Sequence, residues 1–325
     1  MPEEIIASFI ERMNTLGACG EPFLFIIDAG MKRPEIHKLN DLPEEIKFST
    51  PGMSNSSEKQ IYSKSLSLKK VPISFERYYE AFSHVMKNIR HGNTYLLNLT
   101  FPTKIDTELT LEDIFRISVA KYKLLYYNNF VVFSPEIFVR IKDGKISSFP
   151  MKGTIDASIP SACEVILNDE KEKAEHNTII DLIRNDLSIV SDNVTVARYR
   201  YIERIKTCEN ELLQVSSEIT GDLKEGYERR LGNIITAMLP AGSVTGAPKR
   251  ETIKIIEEVE QYNRGWYTGV FGIFDGKQLD SAVMIRFIER DSEGLIYKSG
   301  GGITFMSDPV KEYEELIAKV YVPVG

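Results

Sequence analysis

The chain has 325 residues, enough for one large domain or two smaller ones around a sizeable core. Hydrophobic residues make up 42% and charged residues 27%, a balance that fits a globular protein rather than a disordered chain. The net charge of -7 excludes a generic nucleic-acid binder, so an anionic ligand would need a local positive site or a metal ion. Cys19, Cys163 and Cys208 are odd in number and far apart. They show neither metal-ligand spacing nor a disulfide framework, which suits a reducing compartment. The opening residues, Met1-Pro2-Glu3-Glu4, are acidic where a secretion signal would be basic, and no apolar run approaches the roughly 20 residues that span a bilayer. The expectation is a soluble cytoplasmic protein with no membrane partner.

Residues 4–16 predict an amphipathic helix with Ile5, Ile6, Phe9, Ile10 and Met13 on one face, and residues 23–27 a short apolar strand. From about 31 to 70 the chain is polar, with Pro34, Pro43, Pro51-Gly52 and serines at 54–57, and irregular structure is expected. A helix over 74–91 follows, opened by Ser74 and striped by Phe82, Val85 and Ile89, and a strand starts at 95–100. Thr110, with Asp113 three residues on, opens a second helix over 110–122. Strands are expected at 130–133 and 138–141, with a hairpin turn at Asp143-Gly144. Pro150 and Gly153 mark a sharp change of chain direction. Next come a long helix over 168–189, strands near 194–196 and 212–220, a helix over 228–238 and a loop over 239–247. Pro248 enters a helix striped by Ile253, Ile256 and Val259 and closed by Gly265. Strands at 267–274, 282–289 and 295–298 remain, with a turn at Asp275-Gly276, and Gly300-Gly301-Gly302 precede a last helix over 308–320. There is no βαβ alternation and no repeat, so the expected class is α+β with mostly antiparallel sheet in one composite domain.

Several clusters could carry chemistry. Lys152 sits between Met151 and Gly153, after Phe149 and Pro150; a lysine in apolar company loses its proton more easily and becomes a nucleophile, although a lone lysine by a turn is more often a solvated charge. Glu172/Glu175 and Glu312/Glu315 are like-charged pairs on single helical faces, a repulsion that Mg²⁺ would relieve. The plain alternative is a solvated helix, since Lys171 precedes Glu175 by one turn and Lys311 and Lys319 flank Glu315. Residues 239–249 form a Gly-containing loop at a helix N-terminus, suited to an anion but without a Walker ending, and the three glycines at 300–302 allow close approach to backbone. Arg184, Asn185 and Asp186 read as buried ion pairs and caps, whereas Arg286, on an otherwise apolar strand, calls for a carboxylate partner from the protein or from a ligand.

The order and spacing of Lys171-Glu172-Lys173-Ala174-Glu175-His176, of residues 181–188 and 239–249, of Arg264-Gly265-Trp266-Tyr267-Thr268-Gly269, and of residues 282–287 and 300–315 resemble the chorismate-utilising enzymes. These include anthranilate synthase component I, aminodeoxychorismate synthase component I and the isochorismate and salicylate synthases. The resemblance covers about residues 75–325. It implies an anthranilate synthase component I-like α+β fold, with large, mostly antiparallel sheets in a sandwich and helices outside. Residues 1–72 would be a shortened N-terminal segment packing on a chorismate-binding catalytic domain at 73–325. It further implies that Glu175 and Glu315, with Glu172 and Glu312 close by, hold Mg²⁺, and that backbone near Gly301 and Gly302, with Gly246, Tyr267 and Arg286, holds chorismate. Thr245 and Lys319 would lie beside the reacting ring.

Pro150-Met151-Lys152-Gly153-Thr154 resembles the aminodeoxychorismate branch, where anthranilate synthases have Pro-Ile-Ala-Gly-Thr. That implies addition of Lys152 at ring C2 as the 4-hydroxyl leaves, then attack of ammonia at C4. The product would be 4-amino-4-deoxychorismate, on the route to p-aminobenzoate and folate. No Gly-x-Cys-x-Gly elbow is present, so ammonia would come from a separate glutaminase subunit, aminodeoxychorismate synthase component II. The alternatives are anthranilate synthase component I, an isochorismate or salicylate synthase, and a non-catalytic chorismate-binding module. Two positions depart from the family pattern: Leu213 stands where members often carry His, and Leu96 where they often carry Gln. The chain is also short of the N-terminal region that binds regulatory tryptophan in anthranilate synthases, so no tryptophan feedback is expected.

Overall fold

The structure is a computed structural model that describes residues 2–56, 68–206 and 211–324; Cys208 and part of the polar 31–70 segment lie outside the described residues. Helix α1 (Pro2–Ala18) buries Phe9, Met13 and Leu16, and β1 (Phe23–Ile27) is paired on both edges and buried at all five positions, so both of its faces are covered. The segment expected to be irregular instead holds β2 (Glu35–Lys38), a 3₁₀ turn (Leu39–Asp41), β3 (Ile46–Ser49) and β4 (Lys69–Val71). All three strands lie at sheet margins, where polar side chains face water and no apolar run betrays the strand. Helix α2 (Phe75–Arg90) begins as expected: Ser74 Oγ accepts the Arg77 N–H at 3.3 Å, and Tyr78, Ala81, Phe82, Val85 and Met86 are buried.

Strand β5 (Leu96–Asp106) leads to α3 (Leu111–Ile117), which opens with a reciprocal Thr110/Asp113 capping box. This helix ends earlier than the expected residue 122, because Ser118 turns extended and residues 118–119 bond to the chain near Pro323 and Val324. Strands β6 (Tyr122–Tyr126), β7 (Phe130–Ser134), β8 (Ile137–Lys142), β9 (Lys145–Ser148) and β10 (Met151–Asp156) follow, then α4 (Ala162–Asn168), α5 (Glu170–Ser188), β11 (Asp192–Lys206) and β12 (Glu211–Asp222). Helix α6 (Leu231–Ala237), β13 (Gly246–Ala247) and α7 (Lys249–Glu260) come next. Helix α7 stops at Gln261, which takes a left-handed backbone, four residues before the expected Gly265. Strands β14 (Val270–Phe274), β15 (Leu279–Val283), β16 (Phe287–Arg290) and β17 (Leu295–Ile303) precede α8 (Pro309–Ala318). The strand expected over 282–289 is broken: Arg286 has φ 53° and separates β15 from β16. The strand expected at 295–298 runs on to Ile303, so the three glycines lie within β17, paired with Thr100, Leu99 and Asn98 of β5.

Two compact units share the chain in alternating pieces. The first comprises Met1–Leu42, Glu136–Ser243 and Gly269–Val283; the second comprises Pro43–Pro135, Val244–Thr268 and Met284–Gly325. Each is built on one antiparallel sheet. In the first unit the order is β10-β12-β9-β8-β15-β14-β1-β2, with β11 on the other edge of β12, and α5 lies against β10, β11 and β12. In the second it is β13-β5-β17-β16-β7-β6-β3, with β4 on β5; α2, α7 and α8 bury Tyr78, Phe82, Val85, Ile255, Ile256, Val259 and Leu316 against Leu97, Leu99, Phe101 and Ile303. Antiparallel sheets with one helix-covered face make this an α+β protein, as the interleaved pattern predicts.

Candidate active site

In the first unit the chemistry-bearing groups surround one irregularity. Strand β10 pairs with β12 at Met151 and again at Thr154, and the register shifts between them, so Lys152 and Gly153 form a bulge. The sequence places a turn here; the structure keeps the chain in the sheet and uses the bulge to re-aim one side chain. Gly153 has φ 86°, and a Cβ there would lie 3.3 Å from Glu172 Oε2, so glycine serves both backbone and packing. Half-buried Lys152 places Nζ 2.7 Å from the nearly buried carboxylate of Glu175. The immediate partner of this lysine is therefore a carboxylate, not the apolar surroundings that its sequence neighbours predict.

Helix α5 starts on Asp169, whose carboxylate accepts the Glu172 N–H at 2.9 Å, and this cap sets the phase that turns Glu172 and Glu175 toward β10. His176, the next residue, is fully buried with Nε2 2.7 Å from Ser217 Oγ. Burial, followed by the nearby charges of Arg200 and Lys152, lowers its pKa to about 4, so it is neutral at physiological pH. Farther along the helix, Arg184 and Asp181 pair in the open at 3.0 Å and Asn185 is exposed, contrary to the expected buried cluster; only Asp186 is buried. One turn of α5 faces the sheet and the next faces water, a distinction that depends on what lies above the helix.

In the second unit Gly301, Glu312, Glu315 and Lys319 converge. Asp308 caps α8 by accepting the Val310 and Lys311 N–H groups, and Pro309 fills the first turn. Lys319 Nζ lies 2.6 Å from Glu315 and donates to the Gly300 carbonyl at 2.9 Å, tying the end of α8 to β17. A Cβ on Gly301 would stand 3.5 Å from Glu312, 3.7 Å from Lys319 Nζ and 3.8 Å from Glu315. No positive φ demands glycine at 301, so its bareness leaves a small cradle among two carboxylates and an ammonium. Gly246 differs: its φ is 122° and a Cβ would fall 2.0 Å from the Leu96 carbonyl, so the β13–β5 pairing alone requires glycine there. Leu96 is buried, with its side chain 3.2 Å from the Cβ position of Gly302.

A buried network that the sequence reading missed holds the loop around Thr245. Arg264 clasps Glu260 through two nitrogens at 2.6 and 2.8 Å and donates to the carbonyls of Val244 (2.8 Å) and Asn98 (2.7 Å); Glu260 also accepts from the Thr100 N–H and hydroxyl. The Asn98 N–H donates to the Thr245 carbonyl at 2.9 Å. The four-residue spacing of Glu260 and Arg264 was the available signal, but it spans the end of a helix, where such spacing carries little weight. Tyr267 is buried, and burial raises its pKa, so it remains a hydrogen-bond donor. Arg286 has no carboxylate in hydrogen-bond contact among the described residues; it donates to the Lys319 carbonyl at 2.7 Å and lies over Tyr321. Among the described residues no group of three or more His, Cys, Asp or Glu side chains is gathered closely enough to hold a metal ion. Glu172 and Glu175 in the first unit, and Glu312 and Glu315 in the second, supply the hard oxygen donors that Mg²⁺ prefers.

Comparison with known proteins decides the family. Residues 25–324 match the chorismate binding enzymes. The chain belongs to that family. Full-length relatives include the uncharacterized PabA-like proteins of Pasteurella multocida, 49% identical over 320 residues (98% of this chain, 99% of the relative), and of Haemophilus influenzae, 47% identical over 327 residues (100% and 99%). More distant is anthranilate synthase component 1 of Aquifex aeolicus, 37% identical over 195 residues that cover 57% of this chain and 38% of that one. The fold matches the menaquinone-specific isochorismate synthase of Escherichia coli (TM-score 0.72, 15% identity, 96% and 80% covered) and anthranilate synthase component I of Streptococcus pneumoniae (TM-score 0.63, 25% identity, 84% and 61% covered). Within this chorismate-binding enzyme, Leu213 is buried between Ile155 of β10 and Arg204 of β11, so an apolar side chain fills the place where the sequence resemblance predicts His. No helix among the described residues is long and apolar enough to cross a membrane.

Proposed function

We propose that this chorismate-binding enzyme is the synthase component of aminodeoxychorismate synthase, converting chorismate and ammonia to 4-amino-4-deoxychorismate. The observation that carries the reading is Lys152 on its bulge, with Nζ 2.7 Å from Glu175. The names of the two PabA-like relatives also favour a p-aminobenzoate route.

Glu175 stands within proton-transfer distance of Lys152 and takes the proton that makes Nζ a free amine. Nζ adds at ring C2 as the ring double bonds shift and the 4-hydroxyl leaves, taking up a proton to depart as water. Ammonia then attacks C4, the double bonds shift back and the C2–Nζ bond breaks, which regenerates the lysine. Arg286, Tyr267 and the backbone at Gly301 and Gly302 hold the carboxylates of the substrate, and Thr245 and Lys319 border the ring. Gly246 keeps the Thr245 loop on β5. We assign the Glu172/Glu175 pair of the first unit and the Glu312/Glu315 pair of the second as the carboxylates that would hold Mg²⁺; a bound cation would supply positive charge for a substrate carboxylate in a protein of net charge -7. Ammonia is assigned to a separate glutaminase subunit.

A second reading, anthranilate synthase component I, is favoured by the 37% identity to the Aquifex aeolicus protein. Incubation with chorismate, Mg²⁺ and concentrated ammonium salt at mildly alkaline pH, with the product identified by mass and fluorescence, decides between them. Aminodeoxychorismate is expected. Fluorescent anthranilate establishes the second reading, and isochorismate makes water the nucleophile.

A further inference from the structure

Lys152 lies on an irregular strand, and one buried residue, Ser217, makes three separate contacts with groups around it. Ser217, in the middle of β12 and fully buried, donates its N–H to the carbonyl of Pro150 at 3.0 Å, two residues before the lysine. Its Oγ lies 2.7 Å from His176 Nε2, and His176 directly follows Glu175, the partner of Lys152. The same Oγ accepts the N–H of Arg200 at 2.9 Å. Both roles of the hydroxyl are filled when it donates to Nε2 and accepts from Arg200.

Arg200 closes a second path to the same place. Its guanidinium donates to the carbonyls of Leu167 (2.8 Å) and Ile166 (3.1 Å) at the end of α4. The Ile166 side chain in turn stands 3.4 Å from the Cβ position of Gly153, the residue after Lys152. Arg200 adopts φ 44°, where β11 shifts register against β12 between Arg198 and Tyr201. A non-glycine residue held in the left-handed region next to a bulge is strained, and such strain persists where surrounding contacts over-determine it. Here those contacts are the backbone bond to Ser217 and the guanidinium cap on α4. The ring Arg200–Ser217–His176–Glu175–Lys152–Gly153–Ile166–Arg200 thus closes entirely within the first unit.

We infer that Ser217, His176 and Arg200 are the positioning residues of Lys152: they lock the bulge of β10, α5 and the end of α4 in one register, so that Nζ and the Glu175 carboxylate meet. None of the three is assigned to touch substrate; they act through Glu175 and the β10 backbone. The inference rests on the reading of Lys152 as the nucleophile, but its geometric content can be tested without turnover.

The test compares Ser217→Ala, His176→Gln and His176→Asn in the full chain. Glutamine carries a polar group near the position of Nε2, asparagine near that of Nδ1. Two readouts are taken for each: the rate at which Lys152 is acylated by acetic anhydride, with acetate as the leaving group, followed by mass spectrometry relative to exposed Lys224, and kcat and KM for chorismate with ammonium and Mg²⁺. In Ser217→Ala and His176→Asn, Lys152 is expected to acylate several-fold faster, with kcat about 10–100-fold lower at nearly constant KM, the usual cost of losing an outer support. His176→Gln is expected to stay close to wild type in both. A lysine labelled at the wild-type rate in folded Ser217→Ala, or His176→Asn behaving like His176→Gln, overturns the inference. If Ser217→Ala does not fold, the two histidine variants decide. A wild-type protein that never aminates chorismate overturns the proposed function instead, while the acylation rates still judge the positioning role.

Discussion

Lys152→Ala removes the proposed nucleophile and leaves the sheet pairing on either side of the bulge. Amination of chorismate is expected to fall by at least about 100-fold while the circular dichroism spectrum is unchanged. His176 makes a separate prediction from its protonation. Its pKa drops from the ordinary 6.5 to about 4 in the folded protein, so between these values the unfolded chain binds the extra proton. Stability contributed by the neutral ring is complete above pH 6.5, declines as the pH falls and is lost by about pH 4; at about 1.4 kcal/mol per pH unit this amounts to roughly 3 kcal/mol. Denaturant titrations of the metal-free protein at pH 7, 5.5 and 4 are expected to show a steeper loss for wild type than for His176→Gln. At this scale the residue types were legible in the chain, but their partners were not. Lys152 reads as a lysine among apolar neighbours, and its actual neighbour, Glu175, comes from a helix 23 positions later in the chain.

Elements were legible where their own sequence stabilises them. Helices α2 and α3 begin at capping residues recognisable by spacing alone, and β1 announces itself by five successive apolar residues. The failures have one origin: the backbone partner lies far away in sequence. Strands β2, β3 and β4 are polar because they occupy margins, and 300–302 form a strand because β5 offers hydrogen bonds to three bare residues. Gly301→Ala is expected to fold, since no positive φ must be relieved, but to raise KM for chorismate roughly tenfold by filling the cradle beside Glu312, Glu315 and Lys319. Glu260→Ala leaves Arg264 buried without its carboxylate. The expected cost is about 3–5 kcal/mol, read as a lower denaturant midpoint.

For the molecule as a whole, the proposed reading, in which ammonia comes from a separate glutaminase subunit, predicts that ammonium salt yields aminated product and glutamine alone does not; mass analysis of the two reactions checks this. The chain alone determined the α+β class, because the alternation of helical and strand periods is a local property, and it determined the family, because ordered segments from 171 to 315 keep their spacing. Only the tertiary structure decided which strands share a sheet and how six stretches of chain alternate between two units. It also decided that Arg286 sits at a break rather than inside a strand, and that a serine, a histidine and a strained arginine converge on Lys152. Those outcomes depend on pairings between residues tens to hundreds of positions apart, each fixed by complementary packing and hydrogen bonding that periodicity along the chain does not encode.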